Sequence, residues 1–415
     1  MKRILALAAM ALASAVVLAQ GSGNLVYNSN QSDPKVRAFD QKVVAMFKAK
    51  YPGIKVEHNT VDHETFQNTS IRTYLASDNP PDVLTWFAGN RMRAFSGNKL
   101  AADIGSVWKD AGWEKTTFKG FQSLSKDGNT FVFVPTNYYW WAVYYRKDIF
   151  QKVGLKEPKT WTEFLAACDT LNAAGITPIV NAAKETWPQG GWFDFLNMRT
   201  NGPEFHRDLT DGKIPYTDPR VKKTFENWKA LLDRKCLAPN AAAYTWQDAA
   251  NQMIQGKGAM YLMGDFLRDQ YPDKGEANLD FFRFPIIDPK LPIGEEAPTD
   301  GYFIPAKAKN IANAKLFLEF LGSKEVAELG AKELGRLIVR NDINSAELYK
   351  DKPYIQKGLK EILGEADLVM QFYDRDTSPE MARIGLDGFV QFLSTPNQID
   401  AILRELEAAR ARIFK

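Results

Sequence analysis

Leu25-Val26-Tyr27-Asn28-Ser29-Asn30-Gln31-Ser32-Asp33 opens the part of the chain that decides the fold. Three apolar residues run straight into a polar loop, as a strand does at the edge of a sheet. Beyond the loop, Val36, Phe39, Val43, Val44 and Phe47 recur at helical spacing, and Tyr51-Pro52-Gly53 stops the helix. Ile54-Lys55-Val56 alternates as a second strand. A further helix carries Ile71, Tyr74 and Leu75 and ends at Asn79-Pro80-Pro81, before the short buried strand Val83-Leu84. Strands alternating with helices at this pace predict an α/β unit with a largely parallel sheet.

The pattern resumes at Phe131-Val132-Phe133-Val134-Pro135, which runs into an aromatic stretch ending at Tyr144-Tyr145. An amphipathic helix from Trp161 to Ala174 is capped by Thr160 and stopped by Gly175. Pro178-Ile179-Val180, Ala259-Met260-Tyr261-Leu262 and Thr299–Pro305 read as strands, with helices between them. The last hundred residues are mostly helical. A chain of 415 residues exceeds what one core covers, so two lobes are expected.

Lys2 and Arg3, an apolar run from Ile4 to Leu18, and small residues at Val17 and Ala19 read as an export signal. The run is shorter than the roughly 20 residues of a spanning helix. Cleavage near Ala19 leaves 396 residues, 415 less 19, and no Cys lies near the cut to carry a lipid. A periplasmic protein without a lipid anchor is expected. Without Lys2 and Arg3 the chain has 51 basic and 50 acidic residues, a balance that argues against nucleic acid as a partner. Cys168 and Cys236 form an even pair in an oxidising compartment, and a disulfide between them is expected; two buried thiols are the alternative. Such a bond would contribute about 4 kcal/mol in the chain-entropy model.

His63-Glu64-Thr65-Phe66-Gln67 is half a zinc-protease motif, but the second His is missing and His58 and His206 lack ligand spacing. No phosphate loop, nucleophile elbow or calcium loop occurs, and neither a metal nor a cofactor is expected. Tyr138-Tyr139 and Tyr144-Tyr145 raise ferric-ion capture, yet alternation along a strand turns one Tyr of each pair inward. Glycoside hydrolysis needs only two carboxylates, which no short motif reveals.

Pro81-Asp82-Val83-Leu84-Thr85-Trp86-Phe87-Ala88-Gly89 resembles the Pro-Asp-Val strand and loop of family 1 extracellular solute-binding proteins, the sugar receptors of ABC importers. Further segments resemble that family in the same order: Val134-Pro135 with the stretch ending Tyr145-Arg146-Lys147-Asp148, Pro158 to Phe164, Gly175 to Ile179, Gly256 to Met260, and Ile304-Pro305-Ala306. The resemblance implies a two-lobe periplasmic-binding-protein fold, each lobe a mostly parallel sheet flanked by helices, with crossing hinge strands and sugar in the interlobe cleft. It puts the crossings near Val134–Tyr138, Pro285–Pro298 and Leu337–Asn341. The first lobe then comprises residues 20–135 and about 290–340, and the second 136–289 and about 341–415. It implies a monomer that is no enzyme and delivers a mono- or oligosaccharide to membrane permease subunits. A polyamine or ferric-ion receptor of the same fold is the second reading, and a periplasmic carbohydrate enzyme the third.

Sugar hydroxyls need directional polar partners, and sugar C–H faces lie well on aromatic rings. Asp300, ahead of Gly301, resembles a family position that contacts sugar. Asp374 and Arg375 lie between aromatics in Phe372-Tyr373-Asp374-Arg375-Asp376, where Arg375 either holds Asp374 or meets the ligand. Trp246 starts a helix at a position that stacks on sugar in the family. Trp187 and Trp192 flank Pro188-Gln189-Gly190-Gly191, read as a loop with one of them as a platform, Trp192 preferred. Trp86 follows a buried strand and is expected to face the ligand. Tyr138, with Trp140 on its face, Asn28 and Asn30 at the first strand end, Asp265 after Met263-Gly264, and Glu64 complete the candidate site. Arg340 is expected at the third crossing as hinge structure.

Overall fold

A computed structural model describes residues 21–272 and 275–415, so the export signal expected over 1–19 lies outside the described residues. The chain divides into two compact units. The first holds residues up to Trp86 with Phe95–Asn137 and Asp300–Asn344; the second holds Phe87–Ala94, Tyr138–Thr299 and Ser345–Lys415. Both are discontinuous. Residues 87–94 and 290–299 belong to the second unit, whereas the sequence reading assigns them to the first. No helix among the described residues is long and apolar enough to cross a membrane.

The first unit is built on a six-stranded sheet, in the order Leu337–Ile338, Val134–Tyr138, Thr299–Phe303, Val83–Phe87, Gly23–Ser29, Ile54–Thr60. Gly23–Ser29 runs parallel to both neighbours, with Leu25 opposite Val56 and Tyr27 opposite Val83. Helix Pro34–Lys50 starts with Pro at its first turn, where the missing N–H costs nothing. Its apolar stripe meets the sheet, and Phe47 packs on Phe317 with ring centroids 4.8 Å apart. Asp40 on that stripe is buried because it is paired: Tyr27 Oη donates to it at 2.9 Å and His58 Nε2 lies 3.0 Å away.

Asp82 is a second buried acid with a structural task. Its carboxylate accepts the backbone N–H of Val26 at 2.8 Å, the N–H of Asn310 at 2.9 Å and the Asn310 amide at 3.0 Å. The Pro-Asp-Val motif therefore joins three remote stretches of backbone. Arg340 is structural as well: it grips Asp342 through two hydrogen bonds and donates to the Gly322 carbonyl.

The second unit has a four-stranded sheet in the order Leu279–Phe282, Trp141–Arg146, Gly258–Gly264, Thr177–Ile179. Here the expected parallel character fails. Trp141–Arg146 pairs antiparallel with both neighbours, and only Thr177–Ile179 with Gly258–Gly264 is parallel. Gly258–Gly264 is buried along its whole length, which explains its unbroken apolar run. Helix Trp161–Ala173 carries a full capping box between Thr160 and Glu163.

Pro188-Gln189-Gly190-Gly191 is no loop. It is the first turn of helix Pro188–Asn201, which is buried from Pro188 to Arg199. The glycines serve close approach: a Cβ on Gly191 would sit 2.7 Å from the Trp141 ring, and one on Gly190 would sit 3.0 Å from Phe372. Tertiary packing here overrides the loop propensity of the sequence. The expected disulfide is likewise absent. Cys168 and Cys236 are buried free thiols in hydrogen-bond contact, and that contact, with burial and the neighbouring sulfur, pushes the Cys168 thiol far above its ordinary value.

Candidate functional site

In the second unit the aromatic residues converge on one basin. Capping box Thr245–Asp248 fixes the start of helix Trp246–Ile254 and so aims Trp246. The Trp246 ring lies 5.2 Å from Phe266 and 6.3 Å from Trp187, and Phe266 lies 6.2 Å from Trp187. Trp141 stands edge-on to Trp187 at 6.0 Å and stacks on Phe372 at 4.7 Å. Tyr139 closes the set, 5.3 Å from Phe266. Trp187 and Phe266 are half-buried, whereas Trp246 and Trp141 are buried. The basin therefore presents ring surface through Trp187 and Phe266, backed by rings that hold their planes.

Two acids adjoin this basin in the chain: Glu185 against the start of the Trp246 helix, and Asp265 beside Phe266, whose charge acts on Tyr144 and Tyr354 on the Trp140 side. Asp265, at the end of strand Gly258–Gly264, donates its backbone N–H to the Trp140 carbonyl at 3.0 Å. Glu185 accepts the backbone N–H of Trp246 at 3.1 Å. Burial raises the Tyr144 phenol well above its ordinary value, and the Asp265 charge adds to the rise. Burial alone pushes the half-buried Tyr138 up to about 12, so it stays a neutral hydroxyl at physiological pH.

Beside the basin, segment Phe87–Ala94 meets segment Tyr373–Asp376. Arg91 forms an ion pair with Asp374, and its guanidinium lies 4.6 Å from the Phe87 ring centroid. Arg375 lies 4.4 Å from the same ring. It donates to the Thr299 carbonyl at 3.1 Å and to Tyr139 Oη at 2.8 Å. Gly89 holds a positive φ of 79°, and a Cβ there would come within 3.1 Å of the Arg375 carbonyl. Arg375 thus anchors the Asp374 segment to Tyr139. The closer partner of Asp374 is Arg91, because the Arg375 Nε stands 4.0 Å from its carboxylate.

In the first unit Asn28 and Asn30 are buried at the end of strand Gly23–Ser29. Asn59 donates to Asn28 at 3.0 Å, and Asn30 meets His63 Nδ1 at 3.3 Å. Glu64 accepts from Gln67 and Asn68 on its own helical turns. Asp300 is half-buried and lines a groove with Gln31, Thr136, Asn137, Tyr302 and Arg336.

Two tryptophans are placed otherwise than the sequence suggests. Trp192 is 1% exposed and packs against Phe284, because the helix beginning at Pro188 turns it into the core; Trp187, just before that helix, is the accessible one. Trp86 is 3% exposed, with its ring 4.9 Å from Phe95 in the first unit. Regular strand stops at Tyr138 and resumes at Trp141, yet the rings still alternate: Tyr139 and Trp141 both pack on Phe266, while Trp140 packs on Phe281 and Tyr354. Phe266, Tyr139, Glu185 and Arg91 escaped sequence reasoning. Phe266 follows Asp265 directly, so the strand-end argument for Asp265 could have found it; Arg91 gave no local signal.

The model of the bacterial extracellular solute-binding protein family matches residues 30–328. The fold superposes on the bacterial solute receptor AcbH with a TM-score of 0.89 at 33% identity, covering 95% of this chain and 100% of that one. AcbH is described as having an exclusive preference for β-D-galactopyranose. An ABC transporter extracellular-binding protein of Pyrococcus horikoshii is 27% identical over 380 residues, 89% of this chain and 83% of its own length. A probable sugar-binding periplasmic protein of Mesorhizobium japonicum is 27% identical over 230 residues, 53% of each chain. With two α/β lobes, an aromatic basin and a family match over most of its length, the chain belongs to the bacterial extracellular solute-binding proteins.

Proposed function

We propose that this protein captures a mono- or oligosaccharide in the periplasm and hands it, unchanged, to the permease subunits of an ABC importer. The observation that carries the reading is the basin of Trp187, Trp246 and Phe266 with Glu185 against the start of the Trp246 helix and Asp265 next to Phe266 in the chain. A sugar's C–H face lies on the rings, while carboxylates accept its hydroxyl hydrogen bonds at about 1.5–3 kcal/mol each. Asp374, held by Arg91, is a further acceptor in the second unit, and Asp300 is the acceptor proposed for the groove of the first unit. The likeness to AcbH favours a hexopyranose such as galactose as the first ligand to test. The receptor works as a monomer, exported by a signal cleaved near Ala19 and without a lipid anchor.

Galactose and related neutral sugars are expected to change tryptophan emission and raise the melting temperature, by about 2.7 kcal/mol of added stability at a hundredfold excess over Kd. A sugar panel that leaves both signals flat, while spermidine or ferric ion moves them, would overturn the carbohydrate reading.

Trp187→Ala is expected to cost roughly 1–3 kcal/mol of sugar binding through lost ring burial. Its melting temperature should change far less, because the ring is half-buried and at the rim of the packing. Calorimetric titration beside a urea melt checks both. Unchanged affinity would place the sugar elsewhere.

A further inference from the structure

Behind the Asp374 segment lies a group of acids that the site does not use. Asp194 on helix Pro188–Asn201, Glu296 on strand Gly294–Glu296, and His206 on helix Pro203–Thr210 have no solvent exposure. Asp376 on the short helix Tyr373–Asp376 lies beside them; the residue is half-buried, with its Oδ2 removed from water. Asp194 spends one oxygen on the Tyr373 backbone N–H at 2.8 Å. Its other oxygen lies 3.3 Å from His206 Nε2. The tautomer of His206 follows from its neighbours. The Asn197 carbonyl oxygen already accepts from Asn201 and Thr224, so its amide nitrogen donates to His206 Nδ1 at 2.9 Å, and the ring proton sits on Nε2, facing Asp194.

Glu296 has no such donor. Neither of its buried carboxyl oxygens accepts a hydrogen bond, and neither does Oδ2 of Asp376. Its hydrogen-bond contact is another carboxyl, that of Asp194. Two carboxyls can bond only if one of them carries a proton. An ionised Glu296 would be buried without a donor, which is far costlier than a neutral acid donating to Asp194.

We propose that Glu296, Asp194, Asp376 and His206 form a buried proton-holding cluster that makes the segment bearing Asp374 and Arg375 firmer at mildly acidic than at alkaline pH. The charges facing the cluster are few. Glu295 is the next residue, paired with Arg199 and facing Arg283, and Asp211 lies toward Asp376. The Tyr216 and Tyr373 hydroxyls bond each other at 2.6 Å near Asp194. Burial, then the charge of Asp194, raises the Glu296 carboxyl well above its ordinary value. Burial also raises the Asp376 carboxyl to about 7, and the charge of Asp194 adds to the rise.

A carboxyl raised in the folded chain contributes stability that is fully present below its unfolded value of about 4 and is lost as pH climbs through the folded value. For Asp376 that loss builds up from about pH 4 and is complete just above pH 7. Asn90 donates to the Asp376 carbonyl at 2.7 Å, and Arg91 beside it holds Asp374, so loosening here reaches the candidate sugar contacts. That last link rests on the proposed sugar-binding reading; the stability claim does not.

The test is urea unfolding of the full chain without sugar from pH 5.5 to 8.5, for the natural sequence, Glu296→Gln and Asp376→Asn. The folding constant of the natural protein is expected to fall about tenfold per pH unit for each proton that the folded chain holds and the unfolded chain has lost, up to about 7 for Asp376 and above it while Glu296 keeps its proton. The amide variants should flatten that slope. Infrared difference spectra of the natural protein, pH 6 minus pH 8.5, should show a carboxylic-acid C=O band, a readout that does not depend on a variant folding. A folding constant that stays level or rises across this range, or a difference spectrum without that band, overturns the cluster. Sugar titrations at pH 6 and 8.5 are separate: a normal stability slope with pH-independent affinity would refute only the link to the site.

Discussion

Arg199→Ala is expected to destabilise the second unit by about 3–5 kcal/mol. Arg199 and Glu295 are an ion pair with both partners almost wholly removed from water. Arg199 also donates to the Gly294 carbonyl and, at 3.2 Å, to the Phe284 carbonyl. Burial lowers the Arg199 value and raises that of Glu295, so each charge is tolerated mainly because of the other. Removing the cation leaves Glu295 with Arg283 as its remaining charged neighbour, 3.4 Å away. It also strips a donor from two backbone carbonyls. The double change Arg199→Met with Glu295→Met should recover most of the loss, because a buried pair is often replaceable by apolar residues of similar volume. Urea melts of the three proteins check this. A loss below about 1 kcal/mol in the single variant would mean that Glu295 is already neutral or that water reaches it.

Gly301→Ala is expected to cost about 3 kcal/mol, the upper end of what overpacking does. A Cβ at Gly301 would sit 1.9 Å from the Val134 carbonyl oxygen, 2.8 Å from its carbon and 2.9 Å from the Phe133 ring. Two of these atoms are backbone of the neighbouring strand and cannot swing aside as a side-chain tip can. The strands must part, and the hydrogen bond from Thr136 Oγ1 to the Asp300 carbonyl goes with them. Asp300 is the adjacent residue, so sugar affinity should fall together with stability. A urea melt and a titration of the same preparation decide it; stability within about 0.5 kcal/mol of the natural protein, an ordinary surface effect, would refute the clash.

Much of this fold could be read locally. The strands at Leu25, Ile54 and Val83, the capping box at Thr160 and Glu163, and the stop at Gly175 are written in neighbouring residues, because their physics is local. What escaped was set by partners far away in the chain. Strand Trp141–Arg146 takes its antiparallel direction from residues more than a hundred positions later. Helix Pro188–Asn201 forms through glycine residues because Trp141 and Phe372 need the space a Cβ would fill. That one misreading moved the platform from Trp187 to Trp192. For the site, residue types were readable but their pairings were not. Asp374 stood out as an acid among aromatics, yet its ion-pair partner Arg91 lies 283 positions away, and no spacing rule reaches that far.

The order of strands in the first unit bears on how the chain leaves the cell's interior. Thr299–Phe303 is not an edge strand; it lies between Val134–Tyr138 and Val83–Phe87. Asp82 likewise waits for Asn310, 228 residues downstream, before its hydrogen bonds are complete. At about 5–20 residues per second of synthesis, an interval of that length keeps the amino-terminal segment without its central neighbour for roughly ten seconds or more. Contacts so remote in sequence also form slowly once both partners exist. A nascent chain of this topology stays threadable while it is being made, which is the condition a secretion pore that admits only unfolded polypeptide requires of its cargo.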